Sequence, residues 1–483
     1  MCFGGVKKLA NILEFAKVSR MIDLDLTAQV ALLKAREMSP KELVEASIAT
    51  AEALEPKLNA LTTRRFEEAL IAAEKADLET PFAGAPFMHK DLVDVPGFVR
   101  SDGAHPALHQ QPEAAPPLIA ALQKSGLTFL GATNTPEFAS LPVTNNQTFG
   151  ATANPWDVSK TSAGSSGGSA VAVAAGYVAA AHATDGAGSI RMPSSFCGTF
   201  GFKPSRERLL SGEADGSHPF LKHHHAIARS VRDSAWLFDV TQDRSAQATY
   251  RPLSAKQLAR QNQPLKIGLM FDNIQHAEVA QPIRQAIEET AKACAALGHE
   301  VIDLSLAGVD GQGFWGHVEN MFLVRMPFLV AAIEQATGAA FEDNALLSPF
   351  TTSMGVASRD LPDQAEAKSL QAFEQHRASL LAGFESVDVL LTPVTPMMPF
   401  GHDELTPQGS LAADGQKIAD MMSYMALANV YGLPAMSIPT NMSGGLPIGA
   451  HFMATPGMDS LLFDLAHALE EAAPWSHKPT DIK

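Results

Sequence analysis

Cysteine is almost missing from this chain: Cys2, Cys197 and Cys294 are the only three in 483 residues. So few, and odd in number, cannot staple a protein of this length, which excludes a disulfide scaffold and makes a reducing, cytoplasmic setting the expectation. Long apolar runs are also absent. Nothing approaches the ~18 consecutive apolar residues of a membrane-spanning helix, and the first twenty residues lack the apolar stretch of a secretory signal. Positive charge is scarce, with 36 Lys and Arg against 52 Asp and Glu and a net charge of −16. Nucleic acid is therefore not an expected partner, because phosphate binding requires clustered cations. Charged residues of both signs make up 18% and hydrophobic residues 46%, against about 25% and about 45–50% in ordinary globular proteins. The chain thus has enough apolar mass for a large core and too little charge for disorder.

Helical spacing dominates from Leu24 to about Lys75, and Ser39-Pro40 carries the signature of a helix start. Short apolar runs alternate with Gly/Pro-rich loops beyond that point. LTFLGAT (127–133), PLKIGLMF (264–271), HEVIDLSL (299–306), DVLLTP (388–393) and PAMSIPT (434–440) read as strands. The Ala-rich SAVAVAAGYVAAAH (169–182) reads as a helix, as do stretches near 280–297, 362–385 and 458–473. Alternation of this kind predicts an α/β fold, a single large domain with a central mixed β-sheet flanked by α-helices. Residues 1–20 are read as an N-terminal extension of helical pattern and residues 21–483 as the domain, with its chemistry between about 80 and 210.

Three segments in that region stand out. Lys90 ends the apolar run GAPFMHK, where a strand would carry it inward; burial disfavours the ammonium and turns lysine into a base. A plain ion pair with Asp91 or Asp94 is the alternative. GSSGGSA (164–170) sets two serines among glycines ahead of a helix, so that backbone N–H groups and hydroxyls converge on one point. Such a turn can also bind phosphate or simply cap a helix, although the GxxxxGK[ST] spacing of a P-loop is absent. DGAGSIR (185–191) adds another serine behind small residues, as an oxyanion hole requires. Two serine-bearing turns and one buried lysine suit nucleophilic acyl transfer.

These segments resemble the amidase signature enzymes, hydrolases of amide bonds that use a Ser-cisSer-Lys triad. TNTPEFA (133–139), NNQTFGATANPWD (145–157), DVLLTPVTP (388–396), NVYGLPAMSIP (429–439) and GLPIGAHFM (445–453) extend the resemblance along the chain. It implies Lys90 as base, Ser165 as proton relay behind a cis Gly164–Ser165 peptide, and Ser189 as nucleophile. It further implies an oxyanion hole from the backbone N–H groups of Gly186, Ala187, Gly188 and Ser189, with Ser166, Asp185 and Arg191 orienting the triad. Two departures are AGSIR where the family has GGSIR, and SAGSS where PGGSS is common. No cofactor is implied. The expected reaction is hydrolysis of a small apolar amide or carbamate (urethane) through an acyl-enzyme, with esterase activity on the side. The alternative is a glutaminase-type subunit of a tRNA-dependent amidotransferase, and a homodimer is one expected form of assembly. Met88, Phe138, Trp315, Met321 and Phe322, with Met326 and Phe328 nearby, are candidates for an apolar substrate pocket. The run His223-His224-His225 offers no metal-binding spacing and is expected at a histidine-rich surface or pocket rim.

Overall fold

Ser39 opens the helix Pro40–Leu58 with a full capping box: its side chain accepts from the Glu42 N–H while the Glu42 carboxylate accepts from Ser39. The structure, a computed structural model, describes residues 21–213, 215–216, 219–305, 311–475, 479 and 482. The expected N-terminal extension lies outside them. Thirteen strands are present among the described residues: β1 (Leu61–Arg64), β2 (Pro86–Lys90), β3 (Thr128–Thr133), β4 (Ala153–Asn154), β5 (Asp157–Thr161), β6 (Ala180–Asp185), β7 (Phe200–Lys203), β8 (His223–Ala228), β9 (Lys266–Leu269), β10 (Glu300–Asp303), β11 (Val389–Pro393), β12 (Ala435–Ser443) and β13 (Leu446–Ala454). Eleven form one mixed sheet in the order β1-β3-β2-β6-β8-β7-β12-β13-β11-β9-β10, while β4 and β5 pair separately. The single domain is therefore α/β, with helices covering this sheet, as the composition and alternation lead one to expect.

Parallel neighbours β3-β2-β6 occupy one side and β11-β9-β10 the other, with antiparallel strands between them. Two late strands, β12 and β13, lie in the middle of the order. The strands predicted near 127, 264, 299, 388 and 434 are all present. Helices Gln281–Ala296, Ala365–Leu381 and Asp459–Ala472 match the predicted ones closely.

Two readings need correction. The Ala-rich segment 169–182 is not one helix: the helix spans Gly167–Ala174, Gly176 turns with φ of +82°, and β6 starts at Ala180. Alanine favours helix intrinsically, but Ala180, Ala181 and Ala183 are wholly buried in the sheet, and tertiary packing overrides the preference. In the N-terminal helical stretch, β1 pairs antiparallel with β3 between two helices; four residues are too few to show a period of their own.

Candidate active site

β2 and β6 run parallel and side by side, and in open α/β sheets ligands gather at the carboxyl ends of such strands. Lys90 is the last residue of β2 and Asp185 the last of β6. Helix Gly167–Ala174 begins beside them, preceded by Ser165 and by a cis peptide between Gly164 and Ser165. Lys90 is completely buried. Its Nζ lies 2.6 Å from Ser165 Oγ and 2.9 Å from Thr184 Oγ1. Burial pushes its pKa well below the usual lysine range, the Lys222 charge lowers it further, and Asp185 partly opposes them. Neither Asp91 nor Asp94 pairs with it: Asp91 accepts from Ser101 N–H, Ser101 Oγ and Thr62 Oγ1, and Asp94 pairs with Arg100.

Ser166 ties the two serine turns together. Its N–H donates to the Ser189 carbonyl at 3.3 Å and its Oγ donates to the Thr184 carbonyl at 3.1 Å. Asp185 holds the second turn from below, accepting from Gly188 N–H at 2.7 Å and Ile190 N–H at 3.2 Å. Arg191 binds both oxygens of the same carboxylate at 2.9 Å, and both side chains are fully buried. Burial alone would raise the Asp185 pKa; the charge and hydrogen bonds of Arg191 outweigh it and hold the carboxyl below its ordinary range. Gly188 has φ of +123°, and a Cβ there would collide with Met425, so only glycine fits the turn.

Sequence reasoning assigned no role to the outer partners of this network. Asn429 donates to the carbonyl and carboxylate of Asp185 and accepts from Arg191, whose guanidinium also reaches the Met425 carbonyl and His451 Nε2. Thr392 Oγ1 lies 3.0 Å from His451 Nδ1. All three sit in the segments NVYGLPAMSIP, GLPIGAHFM and DVLLTPVTP, whose resemblance to the family was the available signal.

A cavity of about 330 Å³ opens above the turns, lined by Ser165, Thr184, Gly186, Ala187 and Ser189 on one side. Phe138, Trp315, Met321, Phe322 and Met326 line it elsewhere. Phe322 faces the oxyanion-type turn, since a Cβ on Gly186 would meet its ring at 3.5 Å. Met88 is not part of this wall. It shares a strand face with Lys90 but lies two residues upstream, about 6–7 Å deeper, in the apolar cluster with Ala170 and Val171 of the covering helix. Phe328 points away as well, 80% exposed. Polar side chains that the sequence did not single out, Arg100, Asp102, Lys222, Glu319 and Arg325, also line the cavity.

The histidine run is interior rather than superficial. All three residues are buried in β8. His223 Nδ1 meets the Leu221 carbonyl, His224 sits between His182 and Glu213, and His225 meets Ser234. Burial lowers the pKa of His224 to about 4 and of His225 to about 3, so these rings are neutral core groups.

Comparison with known proteins bears on the family and the fold. The sequence profile of the Amidase family matches residues 42–463. The chain is 30% identical over 473 residues to the 6-aminohexanoate-cyclic-dimer hydrolase of Paenarthrobacter ureafaciens, covering 93% of this chain and 95% of that protein. Among solved structures, 6-aminohexanoate cyclic dimer hydrolase complexed with substrate superposes with a TM-score of 0.87 at 29% identity, over 96% of this chain and 100% of the other. A bacterial aryl acylamidase of the amidase signature family gives 0.85 at 27%, over 94% and 97%. Profile, relatives and fold agree over nearly the whole length, and the chain belongs to the amidase family, the amidase signature hydrolases of non-peptide C–N bonds.

Proposed function

We propose that the protein hydrolyses small amides or carbamates with an apolar side, through an acyl-enzyme on Ser189, with Ser165 and Lys90 as the proton relay. The observation that carries this reading is the buried Lys90 Nζ 2.6 Å from Ser165 Oγ on the floor of the cavity that Ser189 also lines. Kept neutral by burial, Lys90 takes the Ser165 proton as Ser165 takes that of Ser189. The Ser189 oxygen attacks the carbonyl carbon and forms a C–O bond while the carbonyl π pair moves onto oxygen. The C–N bond then breaks, and Ser165 returns a proton to the nitrogen, because an amine leaves poorly as an anion. Water, deprotonated by the same relay, attacks the acyl carbon and releases the carboxylic acid (from a carbamate, the carbamic or carbonic acid half) and Ser189. An alkoxide leaves more readily than an amine, so ester cleavage accompanies the main activity.

The oxyanion donors in this reading are fewer than the sequence suggests. Gly188 N–H is already given to Asp185, so it braces the turn, and the N–H groups of Gly186, Ala187 and Ser189 are left for the developing charge. Each such donor contributes roughly 10²–10³ in rate. Apolar selectivity follows from Phe138, Trp315, Met321 and Phe322 around the cavity.

The test is turnover of a panel of aryl, alkyl and cyclic amides, carbamates and esters by wild type and Ser189→Ala, read by mass spectrometry. Cleavage of some members by wild type and none by the variant is the expected result. Equal turnover by both would sink the mechanism, and failure of wild type on every member would favour a subunit that acts only in a complex.

A further inference from the structure

Glu319 is the one acidic side chain on the helical wall of the cavity. It lies on helix Gly311–Leu323, where Trp315, Glu319 and Phe322 follow at intervals of four and three and all three line the cavity, as residues on one helical face must. Apolar groups dominate that face. Glu319 is about half buried, and loss of solvent raises its carboxyl pKa. Among the described residues it has neither a hydrogen bond nor an ion pair. The other charged groups of the cavity have different attachments: Lys222 pairs with Glu213 at 2.6 Å, and Arg100 with Asp94 and Asp102 at 3.0 and 2.7 Å. Arg325, also on the cavity wall, makes no ion pair with Glu319.

A substrate lying along this wall would strip the exposed half of the Glu319 carboxylate of water, and the Trp, Phe and Met beside it offer no donor in exchange. A bound molecule that brings a donor removes the cost. Phe322 is the residue of this helix that reaches Gly186, and Glu319 stands on the same face one helical turn from it, roughly 5–6 Å along the wall. We infer that Glu319 is a specificity-determining residue that receives a protonated amine carried by the substrate a short apolar spacer away from the scissile amide. The substrate class becomes an amide whose acyl part has apolar methylene or aryl groups and ends in an ammonium, a class the net charge of −16 also attracts over distance. This rests on the cavity above Ser189 being the substrate pocket.

A matched pair of substrates tests it: an ω-aminoacyl 4-nitroanilide and its counterpart with a methyl group in place of the amine, with wild type, Glu319→Gln, Glu319→Leu and Ser189→Ala. Wild type is expected to favour the amino member in kcat/KM by at least about tenfold. In Glu319→Leu the preference reverses, the amino member falling and the methyl member rising; Glu319→Gln lies between them. General damage to the fold would lower both members together, so that outcome, or a preference unmoved by either substitution, overturns the inference. Release of 4-nitroaniline that survives Ser189→Ala instead overturns the proposed mechanism and leaves the Glu319 comparison standing as a result about binding. No release by wild type from either substrate overturns both.

Discussion

The two walls of the cavity are built on opposite principles. One wall, from the ends of β2 and β6 and the turns at 164–168 and 185–190, is buried and held by hydrogen bonds between residues far apart in sequence, with Asp185 and Arg191 at its centre. The other, from the segment around 311–326, is a helical face on which Met321 and Met326 are buried in an apolar cluster and Trp315 and Phe322 are partly exposed. Chemistry needs atoms held within fractions of an ångström, which networks supply; selectivity needs shape, which side chains of almost any apolar type can provide. The first wall should therefore fail abruptly under substitution and the second gradually.

The largest effect that would sharpen this contrast is Ser189→Ala, expected to lower kcat by about 10⁴-fold or more with an unchanged thermal unfolding midpoint. Lys90→Met comes next, at about 10²–10⁴-fold at neutral pH, with partial recovery in alkali where hydroxide replaces the base. Its effect on stability depends on pH. The folded-state pKa is depressed, so below the ordinary lysine pKa the unfolded chain binds a proton that the folded chain excludes, and folding is disfavoured there. Removing the amine relieves this, although Ser165 and Thr184 lose a partner, so the stability of the variant relative to wild type should be highest near pH 7 and fall as pH rises towards the ordinary lysine value, read by urea unfolding. A stability difference that stays constant over that pH range would contradict a neutral Lys90.

Asp185→Asn should cost about 3–5 kcal/mol, because it leaves the buried Arg191 charge unpaired; the double variant Asp185→Asn with Arg191→Met should recover part of that loss in the same unfolding measurement. On the other wall, Trp315→Ala should change kcat/KM by about 10–200-fold for bulky apolar substrates and far less for small ones, with little change in unfolding. Uniform loss across substrates would break the contrast. The smallest effect concerns the pH profile. kcat/KM should rise with pH along an acid limb as Lys90 loses its proton, and Lys222→Met, which removes a like charge, should move that limb to higher pH.

The same contrast explains what could be read in advance. Lys90 and the serine turns were legible through their resemblance to the family's motifs, since a lysine ending an apolar run can simply pair with a carboxylate and a Gly/Ser turn can bind phosphate or cap a helix. Asn429 and His451 were not, since a buried asparagine or histidine acquires its role from partners some 240 and 260 residues away in the chain. Glu319 was passed over for a related reason: an isolated carboxylate on a helix reads as a solvated one until the cavity is seen. Among strands, β6 was hidden by alanine, whose intrinsic preference is helical, and Met88 was misplaced because periodicity gives the face of a strand but not the depth along it.

Arg191 also constrains when activity can arise. Its partners Asn429 and His451 enter the ribosomal tunnel long after it does, and β12 and β13, which occupy the middle of the sheet, are translated last of all the strands. At about 5–20 residues per second, the turn bearing Ser189 waits on the order of 10–50 seconds for the groups that brace it. For most of its synthesis a nascent chain consequently carries the serines and the lysine without the groups that brace Arg191, which are supplied only near the end.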